Sequence, residues 1–307
     1  MLAPVDLEIA RNLPPSGSSL DDSRKYTRWL ATHHYENFSV ATFLLPSSLR
    51  QHFYNVYAYC RWADDLGDEV PDPKIALELL NWWEDQLREC YAGRATHPVF
   101  IALQDTVGRF DIPVDPFRNL LIAFRQDQTV HRYATWDGVL GYCRNSADPV
   151  GRLVLYLGGY RDQERFALSD YTCTALQLAN FWQDVARDLD KDRIYIPLDL
   201  LAAAGLSESD LFERRFDDRY IHLMRGLVSR TRELFERGNP LAALVRPALR
   251  VDIQLFARGG LAVLDAIEGI GYNTIQHRPT ISGLKKCRLL GQALGSHLLS
   301  KIARSGE

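Results

Sequence analysis

Four aspartates in two i, i+4 pairs are the side chains of this sequence best placed to do chemistry. The first pair, Asp64 and Asp68, closes the segment HFYNVYAYCRWADDLGDEV at 52–70. From Phe53 to Ala63 that segment is apolar or aromatic on nearly every face, the pattern of a buried helix. Positions four apart share a helix face, so the two carboxylates project together. Side by side they repel, and each makes the other harder to ionise. A cation removes that penalty, and the negative pole at a helix C-terminus favours one there. Oxygen ligands at this spacing suit Mg²⁺, which keeps several waters and shares a substrate phosphate. Alone, the pair reads first as a solvated acidic helix end.

A second segment, YTCTALQLANFWQDVARDLDKDRIYIP at 171–197, changes that balance. Gln177, Asn180, Asp184 and Asp188 follow one another at steps of three, four and four, so they share one helix face. The rest of 173–186 is mostly apolar, including Phe181, Trp182 and Val185. A polar stripe on an otherwise buried helix is costly unless it faces a cavity or a ligand. The alternative is a satisfied polar network inside the core. Two acidic pairs on two long helices predict two walls of one Mg²⁺-lined cavity, and a diphosphate is the group that needs both. Arginines would complete the clamp. Arg61, Arg187 and Arg193 flank the motifs, and Arg144 joins them as a substrate-binding candidate. For any one of these a surface ion pair serves as well. His33 and His34 are candidates for a phosphate contact or for plain surface positions.

Aromatic residues are dense around the acidic helices: Phe38, Phe53, Tyr54, Tyr57, Tyr59, Phe181 and Trp182. Aromatic faces attract cations, so a cavity lined by them could steady a carbocation, although each one taken singly reads as core. A third segment, GYCRNSADPVGRLVLYLGGY at 141–160, sets Ser146, Ala147 and Gly151 beside an apolar run. Those small residues admit close approach by a bulky ligand or by another helix.

The elements that must carry these residues are helical. Prolines at 71, 73, 113, 116, 149, 197, 240, 247 and 279 separate stretches of helical periodicity. Helices are predicted near 47–66, 74–92, 115–130, 163–189, 217–237, 248–269 and 281–303. The best strand candidate, RIYIP at 193–197, is too short to build a sheet. Residues 1–22 read as a loose tail and 23–307 as one all-α domain. The formal charge is -3 over 307 residues. No basic excess exists to neutralise a phosphate backbone, so nucleic acid is not an expected partner. The five cysteines include no C-x-x-C pair and read as reduced thiols of a cytoplasmic protein. No signal peptide is visible, no stretch is long and apolar enough to span a membrane, and no Walker or G-x-G-x-x-G loop occurs.

Together, YAYCRWADDLGDE and LQLANFWQDVARDLDKDRIYIP, with Asp64 and Asp184 120 residues apart, resemble the squalene/phytoene synthase family. The resemblance spans about His34 to Arg278. It implies the all-α isoprenoid synthase fold, a single helical bundle around a central cavity, and two aspartate-rich motifs that bind Mg²⁺-diphosphate. Carried over, Asp64 and Asp68 form the first motif, and Asn180, Asp184 and Asp188 the second. Tyr142 matches a cavity tyrosine and Arg61 an arginine near the diphosphate.

Departures narrow the resemblance. Where condensing members carry a serine-rich stretch after the histidine, this chain has HYENFSVATFLLP, with Glu36 at a position expected to bind an anion. Gln183 replaces the usual arginine of the second motif, and a late tyrosine falls at Gly259 or Gly260. ENFSVA, CRWADDLGDE, SADPVGRL and FWQDVARD are similar to the hopanoid-associated hydroxysqualene synthase branch. That resemblance implies a lyase that turns presqualene diphosphate into hydroxysqualene, with a sister presqualene diphosphate synthase upstream and a hydroxysqualene reductase downstream. It implies a cytoplasmic protein with a peripheral contact on the inner face of the membrane. The rival expectation is a transferase that condenses two farnesyl or geranylgeranyl diphosphates. A non-catalytic helical scaffold is the third reading, and four carboxylates at metal spacing argue against it.

Overall fold

The computed structural model describes residues 8–10, 12–33 and 47–281. The described residues are helical and contain no strand; one isolated parallel bridge joins Arg132 and Ile194. The bridge is all that RIYIP contributes to pairing. The chain forms two compact units, Met1–Thr129 with Arg152–Arg161, and Val130–Gly151 with Asp162–Glu307.

In the first unit, α1 (Leu20–His33), α2 (Ser47–Asp68), α3 (Pro73–Tyr91), α4 (Pro98–Phe110) and α5 (Asp115–Gln126) follow in order. Their starts are written locally. Asp72 caps α3 by accepting from the Lys74 amide, with Pro73 in the first turn. The Ser19 hydroxyl accepts from the Asp22 amide at 3.1 Å and donates to the Asp22 carboxylate at 2.7 Å. That S-x-x-D signal marks the start of α1, which the periodicity reading passed over. Part of the segment read as a loose tail is packed: Ile9 is fully buried, and its carbonyl accepts from Tyr26 at 2.6 Å. The core centres on stacked Trp62 and Trp83, 5.2 Å apart, with Phe100 4.4 Å from Trp83.

A buried polar network sets the register of α2. Asn55 donates to the Ala102 carbonyl and to Thr106 Oγ1, both at 2.9 Å, and accepts from Thr27 at 2.7 Å. Helices α1, α2 and α4 are thereby keyed to one another at a site where a slip would leave several groups unpaired. Two turns further along α2 comes the acidic end.

The second unit adds α6 (Trp136–Ser146), the start of α7 (Asp148–Leu157), α8 (Gln163–Asp190), α9 (Leu198–Ala203), α10 (Glu208–Phe212), α11 (Asp218–Gly238), α12 (Leu241–Leu244) and α13 (Pro247–Gly269). Helix α8 is its axis, packed by α11 and α13. Trp182 Nε1 donates to Thr231 Oγ1 at 2.8 Å, tying α8 to α11. A Cβ at Gly151 would collide with the Ser169 and Cys173 side chains of α8. The small residue there serves helix-on-helix packing, the second of the two uses its sequence allowed. The four described cysteines, Cys60, Cys90, Cys143 and Cys173, are free thiols. No helix of the described residues is long and apolar enough to cross a membrane. Cys287 and the helix expected to run to 303 lie outside the described residues.

Candidate active site

Helix α2 is not buried all round, as its apolar run suggested. Phe53, Asn55, Ala58, Tyr59, Trp62 and Ala63 are buried. Tyr54, Tyr57, Arg61 and Asp64 are half-buried and Asp68 is exposed. Their steps of three, four, three and four trace one helical face, so the packed core leaves a stripe that carries the first motif. Arg61 lies within it and pairs with two acids of its own helix. Its Nη2 contacts Asp65 Oδ1, and its Nη1 lies 3.5 Å from Asp64 Oδ2. The Asp65 side chain is 5% exposed and that of Asp64 45%. Burial pushes the Asp65 carboxyl up to about 7, against the pull of Arg61. Desolvation outweighs that attraction, and the neighbouring Asp64 and Glu69 carboxylates add to the rise.

The second motif follows the same plan. Phe181, Trp182, Gln183, Val185 and Leu189 are buried, while Gln177, Asp184 and Asp188 are half-buried and Asn180 is exposed. The polar face is thus the one that the packing of its unit leaves uncovered, and the reading of these groups as a sealed core network fails. The counter-charge differs, however. Arg187, one turn along α8, reaches only 3.8 Å from Asp184 and is 65% exposed. The principal partner is Arg278, 94 residues away, whose Nε contacts Asp184 Oδ1 and whose Nη2 lies 3.2 Å from Oδ2. Arg278 entered the sequence reading only as the edge of the resemblance. No local spacing could have marked it.

Aromatic side chains gather beside this motif. Phe181 and Tyr195 stack with centroids 3.7 Å apart and planes 7° from parallel. Tyr142, buried on α6, lies 5.9 Å from each, and Tyr133 is 5.8 Å from Tyr195. Thr135 starts α6 by accepting from the Gly138 amide, which fixes the face that Tyr142 presents. The sequence singled out Tyr142 and Phe181; Tyr133 lay in no periodic stretch, and Tyr195 was read only as part of the short strand candidate RIYIP. Arg193 is held at the turn after α8, where its amide donates to the Asp188 carbonyl at 2.8 Å. Arg144 is exposed on α6. Of the late glycines, Gly260 faces Phe235 and Leu176 too closely to admit a side chain, whereas Gly259 has nothing within 4 Å of a Cβ. His34, Glu36 and Phe38 lie outside the described residues.

Among the described residues no three ligating side chains converge on a ready metal site. The donors of each motif are oxygens alone, which is the chemistry that Mg²⁺ takes. At Asp184 a guanidinium already holds positive charge against both oxygens. These residues therefore fit a hard cation, with Arg278 in its place.

A family model described as squalene/phytoene synthase matches residues 31–285. The chain belongs to the squalene/phytoene synthase family. That is a family of enzymes of isoprenoid biosynthesis, and its all-α isoprenoid synthase fold is the one found. The phytoene synthase of Arthrospira platensis is 32% identical over 286 residues, covering 88% of this chain and 91% of its own. Among solved structures, squalene synthase HpnC from Alicyclobacillus acidocaldarius is 46% identical with a TM-score of 0.80, covering 83% of this chain and 96% of that one. A dehydrosqualene synthase solved with a ligand is 25% identical with a TM-score of 0.81, covering 92% and 98%.

Proposed function

We propose that this protein ionises presqualene diphosphate and captures the rearranged cation with water, releasing hydroxysqualene and diphosphate. The observation that carries the reading is the pair of acidic stripes, each left uncovered by the packing of its own unit, in a chain 46% identical to squalene synthase HpnC. Asp64, Asp68, Asn180, Asp184 and Asp188 would hold Mg²⁺ with the diphosphate. Bound there, the ion withdraws electron density from the leaving group. His34, Arg61, Arg144, Arg187, Arg193 and Gln177 are the proposed contacts to the diphosphate end of the substrate. The carbon–oxygen bond breaks with its electron pair on diphosphate. The cyclopropylcarbinyl cation then rearranges against aromatic faces, for which Phe38, Tyr57 and Tyr142 are proposed with the Phe181–Tyr195 stack. Water adds its oxygen to the final cation and loses one proton. Glu36 disfavours a second diphosphate at its position, and within hydrogen-bond reach it would take that proton.

On this reading the substrate comes from a sister presqualene diphosphate synthase and the product passes to a hydroxysqualene reductase. Both are oily, so the protein would work in the cytoplasm against the inner face of the membrane through a peripheral apolar contact. The phytoene synthase relatives favour a second reading, head-to-head condensation of two prenyl diphosphates. Product analysis separates the two. The enzyme is given presqualene diphosphate or farnesyl diphosphate with Mg²⁺, with and without NADPH, in ¹⁸O-labelled water. Hydroxysqualene carrying ¹⁸O, formed from presqualene diphosphate alone, is the expected outcome. Efficient formation of presqualene diphosphate or squalene from farnesyl diphosphate, or of phytoene when geranylgeranyl diphosphate is supplied instead, would reject it in favour of condensation.

A further inference from the structure

We infer that Gln183 and Arg278 form a latch on the second acidic motif, which makes cation binding at Asp184 conditional on a bound diphosphate. The inference deepens the reading above and rests on Asp184 being a cation ligand. Both Asp184 oxygens face the guanidinium fork of Arg278, and the Asp184 side chain is only 25% exposed. A planar fork on a carboxylate is the strong form of an ion pair.

Gln183 sets that fork. It is 7% exposed. Its Nε2 donates to the Pro279 carbonyl at 2.8 Å, and its Oε1 accepts from Arg278 Nη2 at 3.4 Å. The two ends of one buried amide therefore hold two consecutive residues, and releasing either would leave a buried polar group unpaired. An arginine at 183 could not accept from Arg278 and would repel it.

A cation arriving alone at Asp184 must displace the fork and give up that bidentate ion pair. A diphosphate offers that guanidinium oxygens of similar geometry. Cation and diphosphate then bind with positive coupling, each raising the other's affinity by the same factor. Gln183 is a positioning residue in this scheme, acting through Arg278.

The test titrates the full chain with Mn²⁺, followed by electron paramagnetic resonance, with and without inorganic diphosphate. A protein-free titration removes the contribution of the solution chelate. In the unmodified protein diphosphate tightens Mn²⁺ binding about tenfold or more. Arg278→Gln binds Mn²⁺ alone several-fold more tightly and loses most of the coupling. Gln183→Leu shifts both in the same direction by less, and Arg278→Lys, which keeps the charge without the fork, falls between Arg278→Gln and the unmodified protein. Thermal melts establish that each variant is folded. Unchanged coupling in folded Arg278→Gln and Gln183→Leu, with Mn²⁺ binding weakened in Asp184→Asn, overturns the latch alone. Unchanged Mn²⁺ binding in Asp184→Asn with diphosphate present overturns the metal reading and the latch with it.

Discussion

Helices α2 and α8 carry the same device, an i, i+4 pair of aspartates on the face that packing leaves uncovered, but they neutralise it differently. On α2 the arginine is local: Arg61 reaches Asp64 and Asp65 from three and four residues away. On α8 the local arginine, Arg187, stays in solvent, and the partner comes from beyond the end of α13. A counter-ion on the same helix moves with its acid and remains beside it whatever else binds. One borne on a separate segment can leave. The first motif is thus permanently attended, while the second has an attendant that its structure allows to be exchanged.

The largest test of this comparison is catalytic. Asp64→Asn and Asp184→Asn each lower turnover by about 100-fold or more while circular dichroism stays unchanged, and the double variant is little worse than either single. Full additivity in steady-state turnover would mean that the two helices act on separate events. Near-normal turnover in either single variant would remove that aspartate from the reaction.

A third acid sharpens the contrast because among the described residues it has no arginine partner. Asp252 of α13 is 4% exposed, neither carboxylate oxygen has a hydrogen-bond partner, and burial pushes its carboxyl up to about 8. An unfolded aspartate titrates near ~4. Between those values the folded state holds a proton that the unfolded state has lost. Stability contributed by that proton is therefore present at low pH and lost as pH rises towards 8. Asp252→Asn should remove the loss, gaining on the order of 3 kcal/mol more at pH 8 than at pH 5 at ~1.4 kcal/mol per pH unit. Urea unfolding at the two pH values checks it; an equal effect at both would show that Asp252 is ionised in the folded protein.

The smallest effects compare the arginines. Arg61→Ala costs about 1–2 kcal/mol, because buried Asp65 is left without its partner and relieves only part of the penalty by taking a proton. Arg278→Ala costs about 1 kcal/mol, since Asp184 is better solvated and the contact to Gln183 Oε1 that is given up is a long one of 3.4 Å. Arg187→Ala stays within about 0.5 kcal/mol. Urea midpoints in the reverse order would mean that the distant arginine, not the local one, holds its motif together.

Much of the architecture was legible because helices write their boundaries locally. The predicted stretches near 47–66, 74–92, 163–189, 217–237 and 248–269 appear as α2, α3, α8, α11 and α13 within two residues at either end. Helix α5 stops at Gln126, short of the expected 130. Helices α1, α4, α6 and the start of α7 were passed over. In α1 charged residues are as many as apolar ones, and only the Ser19–Asp22 cap announces it.

The sequence by itself determined the carboxylate pairs, their i, i+4 geometry, the helical class and the family, because each of these depends on residues a few positions apart or on motifs read as strings. It also placed Arg61 within reach of Asp64 and Asp65, since contact three or four residues away is dictated by the helical repeat. Tertiary structure alone decided that Arg278, rather than Arg187, occupies Asp184, that the Gln183 amide is spent on Pro279 and Arg278, and that Asp252 is sealed without a partner. Those contacts join residues far apart in the chain or turn on burial from several helices at once. No periodicity encodes them, and they come into being only when α8, α11, α13 and the segment after α13 pack together.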